Sequence, residues 1–143
     1  MTPPISALLP HAPPMRLLDA VVRFDGDAIE CTATLQPNCP FSDASGRVDP
    51  MIAVELVAQA AAAWSALSSD ASARPGVVAS CREGKLEDVP LKVGDHLLVR
   101  ATRVAGSADF GSFVGTVLLD SARVATISFG VVLGADVVQP GTS

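Results

Sequence analysis

Residues 48–67, V-D-P-M-I-A-V-E-L-V-A-Q-A-A-A-A-W-S-A-L, limit what this chain can fold into more than any other stretch. Asp49 is a strong N-cap, and Pro50 suits the first helical position, where a missing N–H costs nothing. No glycine or proline follows until after Leu67, so one long helix is predicted. Apolar side chains cover nearly every side of it, which predicts a helix buried all round rather than lying on a surface. Only Glu55, Gln59 and Ser65 interrupt the run. Four residues apart, Glu55 and Gln59 share a stripe with Met51, Ala62 and Ala66, while Ala53, Val57, Ala60 and Trp64 lie opposite. The alanines at 60–63 let a neighbouring sheet come close.

A carboxylate on such a helix needs a reason. Buried without a partner it costs several kcal/mol, so it must be held by donors, stay protonated or face a polar cavity. Two readings of Glu55 follow: a structural carboxylate held by backbone N–H groups or an arginine, or a catalytic acid or base at the floor of a pocket.

The 143 residues suit one domain, 1–143, with a loose tail beyond about residue 137. Hydrophobic residues at 49% against 17% charged describe a packed chain rather than a disordered one. A net charge of -5, with no basic stripe carrying interleaved aromatics, argues against general nucleic-acid binding. The N-terminus lacks the basic start and continuous apolar run of a secretory signal, and the longest apolar stretch is interrupted by Glu55 and too short to span a bilayer. A cytoplasmic protein without a membrane partner is expected. Cys31, Cys39 and Cys81 are odd in number and lack C-x-x-C spacing, which suggests neither a disulfide framework nor zinc. The only histidines, His11 and His96, are far apart, so no metal is expected.

Along the chain, residues 5–9 suit a short helical turn, and P-H-A-P-P at 10–14 an extended or turning loop. Residues 17–24 and 28–35 read as a hairpin across Asp25, Gly26 and Asp27. The second arm alternates Ile29, Cys31, Ala33 and Leu35 with Glu30, Thr32 and Thr34, as a half-exposed strand does. A loop at 36–47 enters the long helix and a polar loop at 68–76 leaves it. Strands are then predicted at 77–86, irregular near Gly84, and at 97–104, 110–119 and 124–133, with a turn at 90–95. One apolar helix among about six antiparallel strands is an α+β arrangement, a helix wrapped by a curved sheet.

Four segments carry a resemblance: L-L-P-H-A-P-P-M-R-L-L-D at 8–19, N-x-P-F at 38–41, E-L-V-A-Q-A at 55–60 and V-G-D at 93–95. In this order they resemble the hotdog-fold 3-hydroxyacyl-ACP dehydratases, and more closely their divergent relatives in polyketide-like pathways such as aryl polyene assembly. The resemblance implies a hotdog fold and a homodimer or higher oligomer whose two sheets join, or a heterodimer with a related hotdog subunit. It also implies a tunnel at the subunit interface, entered by an acyl chain on the phosphopantetheine of an acyl carrier protein or of CoA, with no further cofactor. Glu55 matches the helix acid of these dehydratases, and Gln59 the glutamine one turn later that usually serves as its structural partner. Phe41, Gln59 and the helix start at Pro50, Met51 and Ile52 would meet the substrate. Arg47, Arg82, Lys85 and Lys92 are expected to gather near the tunnel mouth to receive an acidic carrier protein.

One departure stands out. Family dehydratases carry a histidine in the loop before the helix; here family spacing lands on Phe41 or Ser45, and no histidine lies between Asn38 and Asp49. Eliminating water from a 3-hydroxyacyl thioester needs a base for the C2 proton and an acid for the departing hydroxyl. A hydrophobic tunnel favours a protonated Glu55 as the acid, with His11 or a water as base and N–H groups near the helix start polarising the thioester carbonyl. His11 could equally be structural, bonded to a backbone carbonyl, and His96 is expected to be an exposed strand residue. The alternatives are an acyl thioesterase using a helix carboxylate and a water, and a non-catalytic carrier-binding partner of an active hotdog subunit.

Overall fold

A computed structural model describes residues 3–9, 15–68, 77–106 and 110–132. The elements are α1 (Ile5–Leu8), β1 (Ala20–Phe24), β2 (Ala28–Thr34), β3 (Arg47–Val48), α2 (Ile52–Ser68), β4 (Val77–Leu86), β5 (Leu91–Lys92), β6 (His96–Gly106), β7 (Phe110–Leu119) and β8 (Ala122–Val132). Six strands form one sheet in the order β1-β2-β6-β7-β8-β4, with every neighbouring pair antiparallel. The short β3 and β5 pair separately, Arg47 opposite Lys92 and Val48 opposite Leu91. No described helix is long and apolar enough to cross a membrane.

The expected strands are present with two corrections. β1 begins at Ala20 rather than at 17, because Leu17 turns its N–H toward α2, and pairing with β2 starts only where Asp19 N–H reaches the Thr32 carbonyl at 2.7 Å. β3 and β5 lie inside what reads as a loop and a turn, since two residues are too few to show a period. The alternation in β2 holds: Ile29, Cys31 and Ala33 are buried, while Glu30, Thr32 and Thr34 are half-buried on the other face. The expected loop beyond Ser68 and the C-terminal tail lie outside the described residues.

Asp49 caps α2 as its side chain predicts, Oδ1 accepting the Met51 N–H at 2.9 Å. The first turn is tight, with Ile52 N–H bonded to Asp49 O, Ala53 to Pro50 O and Val54 to Met51 O, each at 3.0–3.1 Å. α2 then crosses the inner face of the sheet against β2, β6, β7 and β8, with α1 packed on it as well. At the sheet, glycine makes room. A Cβ on Gly115 of β7 would stand 2.5 Å from both Cβ and Cγ1 of Val57, so helix and strand approach closer than any side chain there permits. Further along, Trp64 meets Phe113 edge-on at 5.4 Å, Phe113 stacks on Phe129 at 5.6 Å, and the Arg103 guanidinium lies 5.5 Å from the Trp64 ring centre.

Burial of α2 is not complete all round. Ile52, Leu56, Val57, Ala60 and Ala63 are sealed, but Met51 is 52% exposed and Val54, Glu55 and Ala58 are half-buried. Among the described residues, the sheet and α1 cover the helix except along this stripe and at its last turn, where Ala66 and Leu67 are half-buried and Ser68 is exposed. β4 forms the sheet edge opposite β1, and residues 81–86 on it are exposed.

Candidate functional site

Gln59 organises the site. Its side chain is 1% exposed, and its amide is spent on three protein partners: Oε1 accepts the Leu17 N–H at 2.9 Å, while Nε2 donates to the Met15 carbonyl at 2.7 Å and to Glu55 Oε1 at 3.1 Å. One buried amide thus fastens residues 15–17 to the helix and steadies the carboxylate one turn earlier. Both amide hydrogens are committed, which gives Gln59 a positioning part rather than a direct hold on substrate. Glu55, half-buried, stands on the open stripe of α2 where a substrate or a second chain can reach it.

His11 lies outside the described residues. Those flanking it are placed: Leu9 is buried in the core, and Met15 gives its carbonyl to Gln59. His96, the first residue of β6, is exposed as expected, with Nδ1 3.0 Å from Thr34 Oγ1, which donates to Asp19 Oδ2 at 2.7 Å.

The loop before α2 has no base at either position where family spacing lands. Phe41 is half-buried against the core, its carbonyl accepting the Asp49 N–H at 2.9 Å. Ser45 is folded back onto Asp43, whose Oδ1 accepts the Ser45 hydroxyl at 2.6 Å, the Ser45 N–H at 2.8 Å and the Arg47 N–H at 3.1 Å. The Ser45 hydroxyl first, then its N–H, hold the Asp43 carboxyl below the usual carboxylate range. Gly46, at φ 87°, completes this small hairpin.

The helix start fits its expected role poorly. The N–H groups of Met51, Ile52 and Ala53 are engaged inside the turn, so the donors expected to polarise a thioester carbonyl are already taken, and the Ile52 side chain is fully buried. Pro50 and Met51 are exposed and remain available as apolar contacts. Of the four expected docking cations, Arg47 and Lys92 stand opposite each other on β3 and β5, whereas Arg82 and Lys85 lie on the edge strand β4. All four are exposed, and Lys85 Nζ is 3.5 Å from Glu87 Oε1.

A cavity of about 410 Å³ lies between the N-terminal segment and the end of β2, lined by Arg16, Leu17, Leu35, Gln36, Asn38 and Cys39 among others. It joins the first and second resemblance segments, 8–19 and 38–41, in space. Arg16 is the feature that reading by motif passed over, because a single arginine inside a recognised string carries no separate signal.

A long helix bearing one carboxylate, laid on the inner face of a six-stranded antiparallel sheet, defines a hotdog protein. Within that class the chain belongs to the ApeP-like family, described as ApeP dehydratase, which it matches over residues 3–139. No curated protein matches it significantly. Among solved structures it is similar to the dehydratase heterocomplex ApeI:P from Xenorhabdus doucetiae, at 23% identity and a TM-score of 0.83, over 95% of this chain and 94% of that one. The E. coli PaaI protein of the phenylacetic acid degradation operon is similar at 15% identity and a TM-score of 0.63, over 78% and 80% of the two chains. A hypothetical thioesterase with coenzyme A from Streptococcus pneumoniae is similar at 11% and 0.65, over 80% and 84%. These likenesses establish the shared fold.

Proposed function

We propose that this chain is a cytoplasmic dehydratase subunit that removes water from 3-hydroxyacyl thioesters carried on phosphopantetheine, working against a second hotdog chain. The observation that carries the reading is Glu55: the one carboxylate of α2, half-buried on the open stripe and hydrogen-bonded through Gln59. The reaction breaks the C2–H and C3–O bonds, forms the C2–C3 double bond and releases the hydroxyl as water. Glu55 supplies the proton to the leaving hydroxyl, and a base takes the C2 proton. His11 of the same chain, or a group from the partner, serves as that base.

Family membership supports the dehydratase reading, and the neighbouring heterocomplex supports a mixed pair of hotdog chains. So do the half-exposed apolar stripe on α2 and the exposed edge of β4, surfaces that an isologous or mixed dimer would cover. Arg47 and Lys92, side by side, offer the first contact to an acidic carrier. A second reading, thioester hydrolysis by Glu55 and a water, is favoured by the loop without histidine and by the thioesterase among the structural neighbours.

Purified chain, alone and with its partner, is to be assayed with 3-hydroxyacyl, enoyl and saturated acyl thioesters. Interconversion of the first two is expected; release of free thiol from all three would replace the reading with a thioesterase. Glu55→Gln keeps shape and hydrogen bonding but transfers no proton, so turnover should vanish with the fold intact. His11→Ala should lower the rate roughly 100-fold or more if His11 is the base. Full activity in both variants would remove the pair, and carrier binding without any turnover would make the chain a non-catalytic partner.

A further inference from the structure

We propose that Met15 sets which acyl chains the site accepts, by forming the apolar surface that meets the substrate carbons beyond C4. The inference rests on the dehydratase reading and adds to it a specificity-determining residue and a direction for the acyl chain along α2.

Gln59 follows Glu55 on the same stripe, about 6 Å further along the helix axis. Being 1% exposed, it forms almost none of the surface on that turn. Residues 15–17 are laid over it instead, with the Leu17 N–H on its Oε1 and the Met15 carbonyl on its Nε2. Nε2 donates to Glu55 Oε1 as well, so the Met15 backbone is pinned two hydrogen bonds from the carboxylate. Met15 is nevertheless 44% exposed, an apolar residue left open beside the one carboxylate of α2. Unbranched and turning about three bonds, a methionine side chain fits itself to apolar partners of differing shape.

The cations fix the direction of the substrate. Met51 lies one turn before Glu55, and the chain leads back from it through the Asp49 cap to Arg47, which stands opposite Lys92. The anionic end of the substrate is drawn to that side, so with C3 at Glu55 the thioester lies toward Met51. Carbons beyond C4 then run the other way, toward the turn of Gln59, where Met15 and the half-buried Ala58 offer apolar surface. The two methionines thus bracket Glu55 with different parts to play. Met51 meets what every substrate shares, and Met15 only what varies.

The test uses the full chain with its partner and thioesters of pantetheine. In Met15→Ala the ratio of kcat/KM for the 3-hydroxyoctanoyl substrate to that for the 3-hydroxybutyryl substrate should fall roughly four- to fifteenfold, the scale of one to two methylenes losing apolar contact. The fall should lie in KM. Met15→Leu, of similar volume, should restore most of the ratio, and Met51→Ala should lower both rates alike. Met15→Ala keeps the backbone carbonyl that Gln59 holds, so the fold is retained. A Met15 that merely steadied its segment would instead lower kcat for both substrates. Binding of the saturated octanoyl and butyryl thioesters, measured by calorimetry, reads the same ratio without turnover. A ratio unchanged in Met15→Ala, or shifted more by Met51→Ala, would overturn the assignment. No dehydration, with a binding ratio that depends on Met15, would overturn the dehydratase reading and leave Met15 assigned; dehydration with a ratio indifferent to Met15 would do the reverse.

Discussion

Replacing Gln59 with leucine tests the centre of the site. Leucine keeps most of the volume, so the loss reports hydrogen bonding rather than a cavity. Three bonds go at once: those to Leu17 N–H, Met15 O and Glu55 Oε1. The Leu17 N–H is left half-buried without an acceptor, at about 1–3 kcal/mol, while the Met15 carbonyl, on a residue 44% exposed, recovers water and costs about 1 kcal/mol. The sum is roughly 2–4 kcal/mol, or a fall in Tm of roughly 5–15 °C for a domain of this size. The loss is also local. Trypsin cuts after Arg16, at the peptide whose N–H Gln59 holds, and when opening is fast relative to cleavage the cutting rate follows the open population. A local loss of about 2 kcal/mol raises that population about 30-fold. Scanning calorimetry together with timed trypsin digestion, followed by mass spectrometry of the 1–16 fragment, measures both effects. A variant cut at Arg16 no faster than wild type, with an unchanged Tm, would refute the claim that this amide fastens the N-terminal segment.

Two further predictions concern packing and pH. Gly115→Ala would place a methyl 2.5 Å from Val57 Cβ, an atom fixed to the helix backbone, so α2 must move away from β7. A loss of roughly 1–3 kcal/mol is expected, read by denaturant unfolding, and wild-type stability would show that the helix is not held this close. Burial pushes the Cys31 thiol up to about 12, whereas the unfolded chain ionises it near its ordinary value of 9.0. Its contribution to stability is therefore complete below pH 9 and lost as pH rises toward 12, a decline that Cys31→Ala should flatten. Thiol labelling at neutral pH should reach exposed Cys81 first and the sealed Cys31 only with unfolding.

What the sequence disclosed and what it withheld divide along a physical line. The start of α2 was legible because a cap is a local device: Asp49 and Pro50 act on residues within one turn, and the bond from Asp49 to Met51 is the outcome. Glu55 was legible because a carboxylate on an apolar helix is conspicuous wherever the helix lies. The partners of Gln59 were not, since Leu17 and Met15 are 42 and 44 residues away and no local period encodes them. Gly115 did carry a signal, an inward glycine in an otherwise alternating strand, and the space it leaves is filled by Val57 of α2 rather than matched to the alanines at 60–63. The prediction of a helix buried all round failed on one stripe, Met51, Val54, Glu55 and Ala58, for a related reason. Apolar composition states that a surface leaves water; it does not state which chain covers it. Because Glu55 sits on that same stripe, the question left open by the sequence, what completes the helix surface, and the question left open by the site, what supplies the base, meet at one place. Assaying wild type and His11→Ala, each with the partner present, addresses both: a base supplied by the partner leaves the His11→Ala rate near wild type, and a base at His11 does not.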